Sequence, residues 1–112
     1  AIGDPHIGKA LARLHARPGD PWTTESLAAI AGLSRSAFAD RFSRLLGQPP
    51  MRYLANWRMQ LAAIRLAERQ ASLAEIGFAL GYESEAAFNR AFKRHHGRPP
   101  AAWRKAAAVP PG

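Results

Sequence analysis

Residues 84–100 read SEAAFNRAFKRHHGRPP, and the earlier residues 34–50 read SRSAFADRFSRLLGQPP. Both stretches begin with Ser, carry two Phe residues four positions apart and end in Gly-x-Pro-Pro. Identical residues recur 50 positions later in the chain. Among the residues repeated in this way are Ser34, Ala37, Phe38, Phe42, Gly47, Pro49 and Pro50. The second half of the chain therefore repeats the first, and a repeat has to be interpreted before a fold is assigned.

The repeat extends upstream with an offset of 49, so that the second copy has one extra residue in its turn. The upstream pairs are Thr23 with Ser72, Leu27 with Ile76 and Gly32 with Gly81. Each copy thus has a cap residue, a short helix, a Gly turn, a second capped helix and a Gly-x-Pro-Pro stop. Chance similarity between two Ala-rich helix pairs explains some matches but not this shared punctuation. We interpret the repeat as a duplicated helix-turn-helix, although the same pattern occurs in plain helical bundles.

The rest of the chain also predicts helices, because it is rich in Ala and Leu and poor in β-branched residues. Asp4-Pro5 begins a first helix that ends at Arg17-Pro18-Gly19. We expect an all-α fold of seven helices in one domain spanning residues 1–112, or in two very small units sharing a core. Its predicted parts are a first helix-turn-helix at about 23–46, a linking helix at about 50–69, a second helix-turn-helix at about 72–96, a final short helix at about 100–107 and a frayed tail at 109–112.

Helical spacing also predicts which side chains face the core. The expected inward residues are Leu27, Ile30, Ala31, Phe38, Phe42, Leu45, Leu54, Trp57, Leu61, Ile64, Ile76, Ala79, Leu80, Phe88 and Phe92.

The composition restricts the possible functions. Sixteen Lys and Arg against eight Asp and Glu give a formal net charge of +8, which indicates a polyanionic partner, although charge alone also fits a merely soluble surface. There is no Cys, which excludes disulfides, thiolate zinc sites and a catalytic thiol, and is compatible with a reducing cytoplasm. No apolar run has the length of a membrane span, and the first residues lack signal-peptide features. We expect a cytoplasmic protein, and the start at Ala indicates a piece of a longer one.

The residues from Gly81 to Arg94, GYESEAAFNRAFKR, followed by GRPP at 97–100 and by Trp103-Arg104, resemble the signature of the AraC/XylS family of transcription regulators. The resemblance covers about residues 7 to 105. It implies a C-terminal DNA-binding domain of seven helices, whose two recognition helices enter successive major grooves about 34 Å apart. It further implies an N-terminal sensor and dimerisation domain in the full-length protein, RNA polymerase as a further partner, and transcriptional activation as the commoner outcome.

The resemblance also implies which side chains reach DNA bases. Position by position, these are Ser36, Ala39, Asp40, Glu85, Ala86, Asn89 and Arg90. Arg90 suits guanine, Asn89 suits adenine, Asp40 or Glu85 suits cytosine N4, and either alanine offers only a methyl contact to thymine. The alternative for each is a solvated helix residue, and for Asp40 an ion pair with Arg44 one turn later. The acidic residue at position 40 weakens the attraction of phosphates to the first copy. This argues against the first copy as the main source of sequence specificity.

A second set of residues is expected to contact phosphates. It combines basic side chains with backbone N–H groups left free at the starts of the second and fifth helices. Its members are Thr23, Thr24, Arg35, Arg41, Arg44, Ser72, Lys93, Arg94 and Arg98.

Other classes of function have less support in the sequence. There is no Ser/His/Asp order, no Gly-rich phosphate loop and no metal-ligand spacing, so we expect no enzyme, no cofactor and no metal. The adjacent His95 and His96 cannot point at one ion on a helix. A basic helical module that binds protein or anionic membrane through the linking helix stays open as an alternative. The Trp57 and Leu61 face of that helix is more simply the core, and we expect no membrane partner.

Overall fold

The computed structural model describes residues 3–107, and these residues form seven α-helices and no strand. The expected all-α fold of seven helices is therefore confirmed, while the predicted tail at 109–112 lies outside the described residues. The helices are α1 (Pro5–Ala16), α2 (Thr24–Ala31), α3 (Arg35–Leu46), α4 (Pro50–Glu68), α5 (Leu73–Ala79), α6 (Glu85–His96) and α7 (Pro100–Ala107).

Side-chain caps begin the helices of both copies in the same way. Thr23 and Ser72 each form a capping box, in which the cap hydroxyl accepts from the third-residue N–H and the third side chain accepts from the cap N–H. The hydroxyls of Ser34 and Ser84 accept from the N–H groups of Ala37 and Ala87. The predicted caps are thus present at all four helices of the repeat.

Glycines end both longer helices of the repeat. Gly47 closes α3 with φ 79° and Gly97 closes α6 with φ 81°. This left-handed conformation is energetically unfavourable for residues that carry a Cβ atom. The Pro-Pro that follows then begins α4 and α7, because Pro is favoured in a first helical turn.

The helices form two compact units, divided between Ala55 and Asn56 within α4. In the first unit, Ile7, Ala10 and Leu14 of α1 are fully buried. Leu27 of α2 and Phe42 of α3 are buried in the same unit, and α1 contacts both of these helices. The two-helix repeat element is thus backed by a third helix that lies before it in the chain.

The second unit has a core drawn from α4, α5 and α6. Its buried members are Met59, Ala62, Leu66, Ile76, Leu80, Phe88 and Phe92. Gly77 is also buried, and a Cβ added to it would lie 2.9 Å from Cβ of Phe88. The close approach of α5 to α6 therefore requires glycine at position 77.

The repeat continues past the Pro-Pro, which the sequence did not reveal. Tyr53 and Trp103 follow the two copies at the same offset of 50. Tyr53 packs edge-on against Phe42 with ring centroids 5.4 Å apart, and Trp103 packs edge-on against Phe92 at 5.7 Å. Each recognition-helix candidate is therefore held by an aromatic ring from the helix that follows it.

Three predicted core residues are exposed, and the prediction was wrong for them. Leu45 and Ile64 are 42% and 57% exposed, and Ala79 is exposed as well. On α3 the half-buried Leu46, four residues after Phe42, continues the inward stripe instead. On α5 the inward position belongs to Gly77 because Phe88 packs there.

The exposure of Ile64 has a different cause, which lies in α4. This helix supplies Leu54 to the first unit, and Met59, Ala62 and Leu66 to the core of the second. These buried positions do not lie on one stripe of constant phase, so the single predicted face was wrong. Ile30, Trp57 and Leu61, also expected inside, are only partly buried.

Candidate nucleic-acid interface

The outward face of α3 carries the residues predicted to contact bases in the first unit. Ser36 and Asp40 are exposed, and Ala39 is partly buried. Oδ2 of Asp40 lies 3.1 Å from Nη2 of Arg44, one turn later on the same helix. The ion pair considered as the alternative role of Asp40 is therefore present in the structure.

The other two arginines of α3 also pair with carboxylates. Nε of Arg35 donates to Oε1 of Glu25, which lies in the first turn of α2. Nη1 of Arg41 lies 3.7 Å from Oδ2 of Asp4, the residue that caps α1. Every cationic side chain on α3 thus has an acidic partner within its own unit, and the sequence spacing had suggested only that of Arg44.

The outward face of α6 is charged differently. Glu85, Ala86 and Arg90, three of the predicted base-contact residues, are exposed side by side in its first half. The predicted phosphate-contact residues Lys93, Arg94 and Arg98 are exposed as well. Within residues 3–107, neither Arg90 nor any of these three cations forms an ion pair. Their positive charge is available to a bound anion.

Asn89, the remaining predicted base-contact residue, is partly buried. Its Oδ1 is shielded from solvent and has no hydrogen-bond partner within the described residues. Recognition of adenine requires both the amide oxygen and the amide nitrogen at the base edge. The side chain must therefore rotate outward before it can recognise adenine in the predicted way.

The N–H groups predicted to be free at two helix starts are partly occupied, which corrects the expectation. The N–H of Thr23 donates to Oγ of Ser26, and the N–H of Ser72 donates to Oε1 of Glu75, each at 2.9 Å. The hydrogen bond from the Ser72 backbone lowers the pKa of the Glu75 carboxyl group. The capping boxes satisfy the very amides that a phosphate was expected to meet, while the next amide, that of Thr24, makes no hydrogen bond within residues 3–107.

Two side chains that the sequence analysis did not select hold α6 in place. Nε2 of His96 lies 3.0 Å from the carbonyl oxygen of Met59 on α4. Arg104 of α7 donates from Nε to the carbonyl oxygen of Leu66 at 3.0 Å, and from Nη2 to that of Ala71 at 2.7 Å. The first bond fixes the C-terminal end of α6 to α4, and the bonds of Arg104 fix α7 to the end of α4 and to the turn that follows it. Arg104 is part of the quoted family signature, and this was the sequence feature that could have identified it.

In the first unit, a histidine of α1 also has a hydrogen-bond partner. Nε2 of His15 lies 2.7 Å from the hydroxyl of Tyr53, whose ring packs on Phe42. Partial burial lowers the pKa of His15 and raises the pKa of Tyr53, so both groups are kept neutral at pH 7. The pair therefore supports α3 through the ring of Tyr53, which packs on Phe42.

Residues 3–107 contain no group of three or more His, Cys, Asp or Glu side chains placed to hold one metal ion. None of the helices in this part of the chain is both long and apolar enough to cross a membrane.

Comparison with known proteins defines the class. A family model described as a helix-turn-helix domain matches residues 27–106. A putative AraC-like transcription regulator of Streptomyces lividans is 45% identical over 109 residues, which cover 97% of this chain and 36% of that protein. The chain spans about a third of the length of the curated relatives it matches.

Solved structures agree with this class. A transcriptional regulator of Chromobacterium violaceum, described as containing an AraC-type DNA-binding domain, superposes with a TM-score of 0.84 at 27% identity over 96% of both chains. The DNA-binding domain of AdpA, solved in complex with a target DNA, superposes with a TM-score of 0.82 at 34% identity over 93% of both chains. The fold and these matches define a double helix-turn-helix protein. The chain belongs to the AraC/XylS family of transcription regulators.

Proposed function

We propose that this chain is a sequence-specific double-stranded DNA-binding module of a transcription regulator, with helix-turn-helix units at about 23–46 and 72–96. The observation that carries the proposal is the exposed face of α6. It presents Arg90, Lys93 and Arg94 without acidic partners, on the second helix of a helix-turn-helix, the position that enters a major groove. The AdpA domain bound to its target DNA supports the same use of the fold.

Base recognition is assigned to the outward residues of α3 and α6. The proposed base contacts are Ser36, Ala39, Asp40, Glu85, Ala86, Asn89 and Arg90. Arg90 is the strongest of them, because an exposed guanidinium can donate two hydrogen bonds to guanine O6 and N7. Ala39, partly buried, offers only its methyl group.

Phosphate contacts are assigned to the flanks of these helices. They comprise Thr23, Thr24, Arg35, Arg41, Arg44, Ser72, Lys93, Arg94 and Arg98. The N–H groups of Thr23 and Ser72 already donate hydrogen bonds within the capping boxes. These two residues therefore contact phosphate through atoms other than a free backbone N–H. Such contacts fix register and supply affinity, but carry no base information.

The wider role follows from the family. We propose that the module works in the cytoplasm, without catalytic activity, as the C-terminal part of a longer regulator with an N-terminal sensor and dimerisation domain. We further propose RNA polymerase as its protein partner and activation as its usual effect. The curated relatives support a place for this module within a longer protein, since this chain spans about a third of their length.

The test is selection of preferred duplexes from a random pool at about 0.15 M salt, followed by binding to the selected and to a scrambled duplex. We expect two enriched elements centred about 10 base pairs apart, and a selected duplex bound at least about 1,000-fold more tightly than the scrambled one. Equal binding to both duplexes, or capture by anionic vesicles in place of DNA, would overturn the proposal in favour of a non-specific basic module.

A further inference from the structure

The recognition helices of the two units differ in what their basic side chains touch. On α3, each of Arg35, Arg41 and Arg44 pairs with a carboxylate. On α6, Arg90, Lys93 and Arg94 form no ion pair within residues 3–107. We call the three contacts Arg35 with Glu25, Arg41 with Asp4 and Arg44 with Asp40 the α3 ion pairs.

The difference lies at equivalent positions of the repeat. At the offset of 50, Arg44 corresponds to Arg94, but Asp40 corresponds to Arg90. One turn of helix therefore presents an acidic and a basic side chain in the first unit, and two basic side chains in the second. In the first unit, the carboxylate of Asp40 lies 3.1 Å from the guanidinium of Arg44.

We propose that Asp4, Glu25 and Asp40 compete with DNA phosphates for the arginines of α3. The second unit then supplies most of the affinity for DNA. The first unit engages only where its half-element compensates for displacing these carboxylates. This proposal rests on the proposed DNA-binding function and adds to it which unit anchors the complex and which side chains set that order.

The physical basis is the cancellation of charge and not the strength of the ion pairs. Exposed pairs of this kind shift an equilibrium by about fivefold at most. A carboxylate 3.1 Å from a guanidinium nevertheless leaves almost no net charge for a phosphate approaching from solvent. Counterion release, the main source of salt-dependent affinity, falls by about one ion for each arginine so neutralised.

The place of Glu25 strengthens the effect. It lies in the first turn of α2, directly after Thr24, whose N–H is one of the proposed phosphate donors. The carboxylate of Glu25 already interacts with the positive end of the α2 helix dipole. A phosphate at this position therefore meets a negative charge that also holds Arg35.

The acids of the second unit do not act in this way. Glu75 is held by the N–H of Ser72 in the capping box. Glu68, Glu83 and Glu85 are exposed and form no ion pair within residues 3–107. None of these four acids neutralises an arginine of the recognition helix.

The experiment uses Asp40→Asn, Glu25→Gln and the double variant in the full chain. Glu68→Gln is the matched control, because it removes one negative charge from an exposed residue at the end of α4 without releasing an arginine. Binding is measured against salt on the selected two-element duplex, on duplexes keeping one element, and on a scrambled duplex. The element whose preference is lost in Arg90→Ala belongs to the second unit.

We expect each single variant to bind the two-element duplex about two- to fivefold more tightly than the wild type, with a salt slope steeper by about one ion. The duplex that keeps only the second unit's element should show the same rise, because phosphates are alike in every sequence. Glu68→Gln should change none of these values by more than about 1.5-fold. The wild type should bind the second element alone more tightly than the first alone.

Two outcomes would overturn the proposal. Weaker binding by Asp40→Asn, with loss of one base preference, would mean that the proposed base contact of Asp40 outweighs any competition with phosphates. Unchanged affinity and salt slope in the double variant would mean that the carboxylates do not compete with DNA. A wild type without preference for the selected duplex would contradict the proposed function instead. In that case, the scrambled duplex still tests the competition through the same rise in affinity and slope.

Discussion

Arg90 and Arg94 lie one turn apart on α6, and both are exposed. We nevertheless expect Arg90 to contact a base and Arg94 to contact a phosphate. We predict that Arg90→Ala lowers affinity for the selected duplex about 10- to 100-fold and relaxes the preference for one base pair, since a bidentate contact contributes about 1–3 kcal/mol. Arg94→Ala should weaken selected and scrambled duplexes alike and reduce the salt slope by about one ion. Equal losses on both duplexes for Arg90→Ala would exclude its role as a base reader.

His15 gives the first unit a pH dependence. Because partial burial lowers its pKa below the ordinary value of 6.5, the unfolded chain binds the proton more readily than the folded one. The stabilising contribution of neutral His15 is therefore complete above pH 6.5 and is lost as the pH falls through that value towards the folded pKa. Thermal unfolding between pH 7.5 and 5 should show a smaller loss of Tm in His15→Gln than in the wild type.

His95 also has a lowered pKa, from burial and then from the neighbouring His96, so His15→Gln should reduce the pH effect without abolishing it. Identical pH profiles for the variant and the wild type would contradict the role of His15. These residue-scale features were not predictable, because Tyr53 is 38 positions away from His15 in the sequence. The opposite case is Asp40 with Arg44, where a spacing of four on one helix was enough.

At the scale of helices, the contact between α5 and α6 depends on glycine. We predict that Gly77→Ala destabilises the chain by about 1–3 kcal/mol, because its new Cβ would lie 2.9 Å from Cβ of Phe88 and the buried ring cannot move aside. Gly8→Ala is the control, since Gly8 lies within α1 and its added Cβ would meet nothing within 4 Å. It should stabilise by about 0.5–1 kcal/mol. Similar unfolding midpoints in urea for both variants would contradict this packing.

The helices themselves were largely predictable, and the reasons are local. Caps such as Ser34 and Ser72, glycine stops such as Gly47 and the Pro-Pro starts act through neighbouring residues, so the sequence places them. The core face of α4 was not predictable, because Leu54 serves one unit and Met59 the other. The phase of its apolar stripe changes along the helix, and periodicity assumes one constant phase.

At the scale of the whole molecule, the repeat predicted two units, but not the charges that distinguish them. The residues that reach solvent on α3 and α6 followed from the position of the Phe stripe in each copy. The partners Asp4 and Glu25 did not, because they lie on other helices from the arginines that they bind. The position of the candidate interface was therefore predictable from the sequence, whereas its electrostatic asymmetry depends on contacts between helices.

The central claim is that both units of one chain read DNA together. It is tested most directly by measuring the Kd for the selected duplex before and after five base pairs are inserted between its two elements. Half a helical turn moves one element to the opposite face of the duplex. We predict that affinity falls to that of a duplex with the second unit's element alone, and that a ten-base-pair insertion, which only lengthens the gap, does not restore full binding. Unchanged affinity after the five-base-pair insertion would contradict reading by two units.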